Sequence, residues 1–186
     1  MNKLIIFNAE SAYLYFKDWD FRKSLKGSSK MYCDSFSLSL VLKICKIPHK
    51  RLHGPDLMDN ILKLNKNYKV IILGGSNQAH KIIKEKYKLN HTKFYSGVIN
   101  QLKIKTLIDE IKDYSPDIIF VCLGIKKQEK IADIIWQNLN QEKRFKNSII
   151  VGVGAAVDFL GETKIRAGTL WRKFGLEWLP RLLREP

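Results

Sequence analysis

Four short apolar runs, each rich in aliphatic residues, constrain the fold of this chain more than any other feature. They lie at residues 4–7, 70–73, 118–123 and 149–153 and are nearly continuous rather than alternating. Runs of this kind are typical of parallel strands that are buried on both faces. Segments with apolar residues at helical spacing separate them, at residues 9–25, 36–45, 57–64, 78–87, 104–114 and 128–139. This alternation predicts an α/β, Rossmann-like fold with a mostly parallel sheet and helices on both faces.

The chain of 186 residues is long enough for one compact domain, and no repeat or Pro-rich linker divides it. Its pattern changes at residue 164. Beyond that point Trp171, Phe174, Trp178 and Leu182 recur at three- and four-residue spacing with basic residues beside them, which predicts a basic amphipathic segment. We therefore divide the chain into an α/β domain at residues 1–163 and a C-terminal segment at residues 164–186. Such a segment either lies in a membrane interface or packs on the domain.

The formal net charge of +15 favours an anionic partner, such as a phosphorylated substrate, acidic lipid headgroups or nucleic acid. Lysine supplies most of this charge in a chain that is also rich in isoleucine and asparagine. The composition of an AT-rich genome is therefore an alternative explanation for much of it. Charge alone does not choose among these partners.

The three cysteines, Cys33, Cys45 and Cys122, are widely spaced and predict neither a disulfide framework nor a zinc site. We expect a reducing, cytoplasmic environment. No uninterrupted apolar run approaches the ~20 residues that span a bilayer, so the sequence predicts a protein that does not cross a membrane.

Glycines and polar residues follow three of the aliphatic runs, where the predicted strands end. They are Gly74 and Gly75 after the second run, Gly124, Lys127, Gln128 and Glu129 after the third, and Gly154 and Asp158 after the fourth. Ligands of open α/β sheets bind beyond the carboxyl ends of the strands, which makes these residues candidates for a binding site. The alternatives are a glycine turn that serves packing, a first helical turn with solvated charges, and a helix-capping Asp158.

Three further polar residues have ordinary local interpretations when each is taken alone. Asp34 is then the N-cap of the helix that follows it, Asn8 a turn residue at a strand end, and Arg51 a solvated cation.

A set of segments in fixed order resembles the WecG/TagA/CpsF glycosyltransferase family. The most specific are residues 152–161, then Arg166 with Ala167, then residues 174–186. Gly124 with residues 127–129 is similar to the family's glycine, proline, basic residue, glutamine and glutamate loop. Other elements that match upstream are Asn8, Asp34, Arg51 with Gly54 and Asp56, and Leu73 with Gly74 and Gly75.

The resemblance implies an inverting transferase that uses a UDP-sugar, commonly UDP-N-acetylmannosamine or its uronic acid, and an undecaprenyl-diphosphate-linked sugar as acceptor. It implies a role in cell-surface polysaccharide synthesis, such as that of teichoic acid, at the inner face of the plasma membrane. The family is regarded as needing no bound metal, and we expect no cofactor. Asp34 matches the family's proposed base. The expected substrate-binding residues are Asn8, Arg51, Gly74, Gly75, Gly124, Lys127, Gln128, Glu129, Gly154, Asp158 and Arg166.

The chain departs from the family pattern at several positions near the expected site. Ile6 stands where threonine is usual, Ser35 where glycine is usual and Lys126 where proline is usual. The sequence also stops at Pro186, where relatives continue into a basic extension, so we expect that extension to be truncated or absent. A non-enzymatic Rossmann-like protein that binds nucleotide or RNA is the alternative function. We expect no nucleic-acid partner, because the lysines are not interleaved with aromatics on a recognisable nucleic-acid module.

Overall fold

The structure is a computed structural model. It describes residues 1–64, 67–97 and 101–164, and for residues 101 and 102 it describes the backbone alone. Of the predicted C-terminal segment, only Lys164 lies within these ranges. Arg166 and the amphipathic stripe through Trp171 and Trp178 lie outside the described residues.

A sheet of six strands forms the centre of the described part of the chain. The strands are β1 (Asn2–Phe7), β2 (Lys30–Cys33), β3 (Val70–Leu73), β4 (Thr92–Tyr95), β5 (Ile118–Val121) and β6 (Ile149–Gly152). Their spatial order is β2-β1-β6-β5-β3-β4, and every neighbouring pair is parallel. The predicted α/β, Rossmann-like fold is confirmed, and this sheet is wholly parallel.

Helices connect the strands. They are α1 (Ala9–Lys17), α2 (Trp19–Ser24), α3 (Phe36–Ile44), α4 (Gly54–Leu64), α5 (Asn77–Tyr87), α6 (Gln101–Tyr114), α7 (Lys127–Leu139) and α8 (Ala156–Leu160), with a 3₁₀ turn at Lys143–Phe145. The helical pattern predicted at residues 9–25 is divided at Asp18, whose backbone is extended and whose Oδ1 accepts a hydrogen bond from the Phe21 N–H. An N-cap aspartate of this kind begins a new helix.

β2 and β4, the two strands at the edges of the sheet, were not predicted from the sequence. In each of them most residues are exposed or half-buried, whereas every residue of β3 and β5 is buried. Edge strands need no continuous aliphatic run, because they have a neighbour on only one side and are partly open to solvent.

The core lies on both faces of the sheet, since successive side chains of a strand point to opposite faces. Val70 and Ile72 pack in a cluster with α4, α5 and α8, whereas Ile71 and Leu73 pack with α6 and α7. The predicted helices on both faces are thus confirmed. The sheet is fixed between two helical layers, which leaves the carboxyl ends of its strands available for a site.

A buried cation ties β1 to two helices of one layer. Lys3 is fully buried, and its Nζ lies 2.5 Å from Asp133 Oδ1 on α7. The same ammonium donates to the Ser24 carbonyl of α2 at 2.9 Å and lies 4.8 Å from the centre of the Trp136 ring. Burial of a lysine without such partners would be very unfavourable, so this network satisfies the charge inside the core.

Within residues 1–64, 67–97 and 101–164, the structure contains no helix with the length and apolar character needed to cross a bilayer.

Candidate functional site

A cavity of about 290 Å³ lies beyond the carboxyl ends of β1, β2, β5 and β6. Asn8 follows β1, Asp34 follows β2, Gly124 follows β5, and Val153 and Gly154 follow β6. The Asp34 N–H donates to the Phe7 carbonyl at 2.9 Å, which holds the loop after β2 against the end of β1. Four separate connections therefore meet in one depression, as is usual for ligand sites of open parallel sheets.

Five of the predicted site residues line this cavity: Asn8, Asp34, Gly124, Gln128 and Gly154. They are distant along the chain and come together because parallel strands end at the same edge of a sheet. Their roles toward a substrate stay predictions, but their proximity is a property of the fold.

Asp34 belongs to a chain of three hydrogen-bonded side chains. Its Oδ1 lies 2.7 Å from Nδ1 of His53, and Nε2 of His53 lies 3.2 Å from Nη2 of Arg51. A guanidinium can only donate, so Nε2 accepts and we assign the imidazole proton to Nδ1, from which it is donated to Asp34. The arrangement orients the carboxylate at the cavity and links Arg51 to it through His53.

His53 is a cavity residue that the sequence analysis missed. Its position two residues after Arg51, a predicted site residue, could have indicated it. No feature of the local sequence, however, indicates that it contacts Asp34. The contact depends on a short parallel pairing beside β2, in which the Cys33 N–H donates to the Lys50 carbonyl and the Leu52 N–H to the Cys33 carbonyl, both at 2.9 Å. This pairing carries Arg51 and His53 to the loop that holds Asp34.

Asn8 caps α1 at the margin of the cavity. Its Oδ1 accepts from the Ser11 N–H at 2.8 Å and from the Ser11 hydroxyl at 3.0 Å. Since the oxygen is used within the protein, a ligand contact from Asn8 would come from its amide nitrogen.

Gln128 connects the first turn of α7 to the loop after β6. Its Oε1 accepts from the Gly154 N–H at 2.9 Å, and its Nε2 donates to Glu129 Oε1 at 2.7 Å. The side chain also packs on Gly152, where a Cβ would lie 3.0 Å from Gln128 Cδ. Gln128 was predicted to hold substrate; its contacts also give it a role in fixing the glycine loop that forms one wall of the cavity.

Glu129 lies behind this wall and does not line the cavity. Its side chain is buried, and burial raises the pKa of its carboxyl above the usual glutamate value, although the hydrogen bond from Gln128 opposes that shift. Glu129 Oε2 is buried without a hydrogen-bond partner. A buried carboxylate with one unsatisfied oxygen is held at an energetic cost, which is larger when the group is ionised.

The raised pKa of Glu129 predicts a pH-dependent loss of stability. The folded protein keeps the carboxyl proton to a higher pH than the unfolded chain, so the contribution of this group is fully present below the unfolded pKa of about 4.3 and is lost as the pH rises through the folded value. We expect Glu129→Gln to raise the free energy of unfolding relative to wild type at pH 8 more than at pH 5, as measured by urea denaturation. Glu142→Gln is the control, because hydrogen bonding from Lys112 lowers the pKa of Glu142 and its removal should have the opposite sign. Equal differences at both pH values for Glu129→Gln would contradict this assignment.

The turn at Gly74 and Gly75 does not line the cavity. Gly74 has a φ of +101°, and a Cβ there would lie 2.2 Å from the Cys122 carbonyl oxygen. A Cβ on Gly75 would lie 2.3 Å from a methyl of Val157. These contacts show that the two glycines allow β3, β5 and α8 to approach closely. They favour the alternative interpretation of this turn, that its glycines serve packing.

Three further candidates also lie outside the cavity lining. Lys127 is exposed at the start of α7. Asp158 forms an ion pair with Lys164 at 3.1 Å. Arg51 reaches the cavity through His53 rather than by lining it. Arg166 lies outside the described residues.

Lys126, which replaces the usual proline, points to a carboxylate away from the cavity lining. Its Nζ lies 2.9 Å from Asp18 Oδ2, and its backbone adopts a φ of +69°.

Among the described residues, no group of three His, Cys, Asp or Glu side chains is arranged to hold a metal ion.

A parallel sheet with helices on both faces, and with a polar cavity where its strands end, defines a Rossmann-like fold with a candidate ligand site. The model of the glycosyl transferase WecG/TagA/CpsF family matches residues 2–186, and the chain belongs to this family.

Curated relatives carry a more specific name. The chain is 31% identical over 141 residues to an N-acetylglucosaminyldiphosphoundecaprenol N-acetyl-beta-D-mannosaminyltransferase of Staphylococcus aureus strain MW2. The aligned residues make up 73% of this chain and 53% of the relative. It is 32% identical over 139 residues to the protein of the same name from strain NCTC 8325 / PS 47, with 72% and 52% covered. The chain thus spans about half the length of the curated relatives that it matches.

Proposed function

We propose that this protein is an inverting glycosyltransferase that moves N-acetylmannosamine or its uronic acid from a UDP donor to an undecaprenyl-diphosphate-linked sugar. Family membership and the names of the Staphylococcus aureus relatives support transfer to such an acceptor. The observation that carries the proposal is the meeting of Asp34, His53 and Gln128 in one cavity at the carboxyl ends of the strands. The product would serve cell-surface polysaccharide synthesis, including that of teichoic acid.

Asp34 is the proposed general base. The acceptor hydroxyl oxygen forms a bond to the anomeric carbon, its proton passes to the Asp34 carboxylate, and the bond from the anomeric carbon to the UDP oxygen breaks with its electron pair on UDP. Attack opposite the leaving group inverts the anomeric configuration. The hydrogen bond from His53 holds the carboxylate in one orientation at the cavity, which favours a single direction of proton transfer.

The departing diphosphate requires positive potential, and we propose that the protein supplies it without a metal ion. Helix α7 begins beside the cavity, because Gly124, Ile125 and Gln128 all line it. The positive end of α7 and the exposed cations Arg51 and Lys127, which lie near the cavity without lining it, are proposed to supply this potential. Gly124 and Gly154 have positive φ and open space where a Cβ would lie, so a ligand can approach the backbone there.

The acceptor carries a polyprenyl chain and therefore resides in a lipid bilayer. We accordingly propose that the protein acts in the cytoplasm, peripherally attached to the inner face of the plasma membrane. The net charge of +15 supports attraction to such an anionic surface.

A panel of UDP-sugars tests this function. Each donor is incubated with an undecaprenyl-diphosphate-linked N-acetylglucosamine acceptor, and the products are identified by mass spectrometry. We expect transfer from UDP-N-acetylmannosamine or its uronic acid, with an unchanged rate after addition of EDTA. A strict requirement for Mg²⁺ or Mn²⁺ would refute the metal-independent step. Absence of transfer from every donor, together with salt-dependent retention on an RNA column, would instead support the nucleic-acid-binding alternative.

A further inference from the structure

Helix α3 is apolar, yet none of its residues is buried. Its sequence from Phe36 to Ile44 contains five large aliphatic side chains, one phenylalanine and a single charge. Soluble proteins normally bury such a helix against their core, and an exposed cluster of large apolar side chains marks a surface that contacts another molecule.

The exposed apolar side chains share one face of α3. Phe36, Leu40 and Ile44 recur at four-residue spacing and are 42%, 47% and 72% exposed, and Val41 beside them is 54% exposed. Leu38 and Leu42 lie on the opposite side and are half-buried. The helix therefore packs on the domain only through a half-buried side, and its more apolar face is exposed to solvent.

Both ends of α3 are well defined, so its exposure is a feature of a regular helix. The Ser35 hydroxyl accepts from the Leu38 N–H at 3.2 Å at the start. At the end, Lys46 adopts a φ of +56° and the Ile47 N–H donates to the Leu42 carbonyl at 2.8 Å, as in a Schellman motif. This turn places Ile47, which is 50% exposed, next to the helix.

The segment from Ser35 to Leu52, which contains this helix, carries charges of one sign, and the Asp34 carboxylate directly precedes it. Residues 35–52 contain Lys43, Lys46, Lys50 and Arg51 and no aspartate or glutamate. All four cations are exposed, and the Arg51 guanidinium carbon lies 5.7 Å from the centre of the Phe36 ring. An apolar face bordered by lysines and arginine is complementary to a bilayer whose headgroups are anionic, with apolar side chains below the headgroups and cations at their level.

We propose that α3 and the loop that follows it through Lys50 form a docking surface for an anionic lipid bilayer. The helix begins two residues after Asp34, so this contact sets the cavity at the bilayer surface, where a lipid-linked acceptor sugar is presented. That consequence rests on the proposed function, whereas binding to the bilayer does not.

Vesicle flotation of the full chain tests the docking surface without any sugar substrate. The vesicles contain equal parts phosphatidylcholine and phosphatidylglycerol, with pure phosphatidylcholine vesicles for comparison. We expect Ile44→Glu to weaken binding to the anionic vesicles at least about fivefold, because it removes an inserted apolar side chain and adds a repelled charge. A second variant with Lys43, Lys46 and Lys50 each changed to glutamine should lose about fivefold for each lysine removed.

Leu64→Glu is the matched control, since Leu64 at the end of α4 is 78% exposed, much like Ile44, but lies on a different helix. It should bind as wild type does, and circular dichroism should show the same fold for every variant. Unchanged vesicle binding by both α3 variants would overturn the proposal. So would a change of mass for Ile44→Glu in sedimentation velocity without lipid, because α3 would then be covered by a second copy of the chain. Vesicle binding that depends on α3 in a protein without transferase activity would refute the proposed function and leave the docking surface intact.

Discussion

Replacing Asp34 by asparagine is expected to lower kcat by about 10²–10⁴-fold, the usual contribution of a positioned general base. The amide retains the size of the side chain and can still accept the hydrogen bond from His53, but it cannot take a proton from the acceptor hydroxyl. UDP affinity, measured by calorimetry, should stay close to that of wild type, because this step does not involve the diphosphate. Initial rates with the lipid-linked acceptor at saturating donor measure the effect.

Arg51→Ala separates this role from that of the neighbouring cation. It should weaken UDP binding, since it removes a cation proposed to contact the diphosphate, whereas Asp34→Asn should not. His53→Gln should reduce kcat by less than Asp34→Asn does, because His53 positions the carboxylate and does not itself accept the proton. Turnover of Asp34→Asn at the wild-type rate would dismiss Asp34 as the base.

Asp133→Leu is expected to reduce the free energy of unfolding by about 3–5 kcal/mol, the usual cost of removing one partner of a buried ion pair. The substitution leaves the fully buried Lys3 ammonium with backbone carbonyls and an aromatic ring, and without a counter-charge. Urea denaturation followed by circular dichroism measures the change. For a chain of this size each kcal/mol corresponds to a fall in Tm of roughly 2–4 °C.

Glu162→Gln is a suitable comparison for Asp133→Leu. Glu162 pairs with Lys86 at 3.1 Å at the surface, where both side chains are well exposed, and such pairs contribute about 0–1 kcal/mol. Similar losses for the two variants would indicate that the Lys3 network contributes no more than a surface pair. Lys3→Met combined with Asp133→Leu should recover part of the loss, because no unpaired charge then stays in the core.

The sequence predicted the parts of the fold whose pattern is set by complete burial. The strands β3 and β5 are buried along their whole length and appear as unbroken aliphatic runs. β2 and β4 were missed because an edge strand tolerates residues such as Lys30 and Lys93, which remove the run that identifies a strand. The division of the first helical segment at Asp18 depended on a cap that propensity alone does not reveal.

The candidate site was predictable to the extent that strand ends determine it. Gly124, Gln128 and Gly154 come after β5 and β6, whose apolar runs were recognised in the sequence. Asn8 and Asp34 were proposed only through the family resemblance, and Asp34 follows β2, which was missed. The pairing of His53 with Asp34 requires the side-by-side placement of residues 50–52 and Cys33, which is a tertiary contact with no local signature.

The two glycine turns illustrate a different limit. Gly74 and Gly154 both follow an aliphatic strand and look alike in sequence. A Cβ on the first would meet the Cys122 carbonyl, and a Cβ on the second would meet open space. Only the neighbours from other parts of the chain separate a glycine needed for packing from one that leaves room for a ligand.

The position of β6 between β1 and β5 affects how the chain folds during its synthesis on the ribosome. Asn2 pairs with Ile149, so β1 is synthesised long before β6, the strand that covers its second edge. Until residues 149–152 emerge, the nascent chain holds two detached sheet fragments, β2-β1 and β5-β3-β4, each with an unpaired aliphatic edge. Such edges favour aggregation, and we expect the sheet to close in a late, cooperative step.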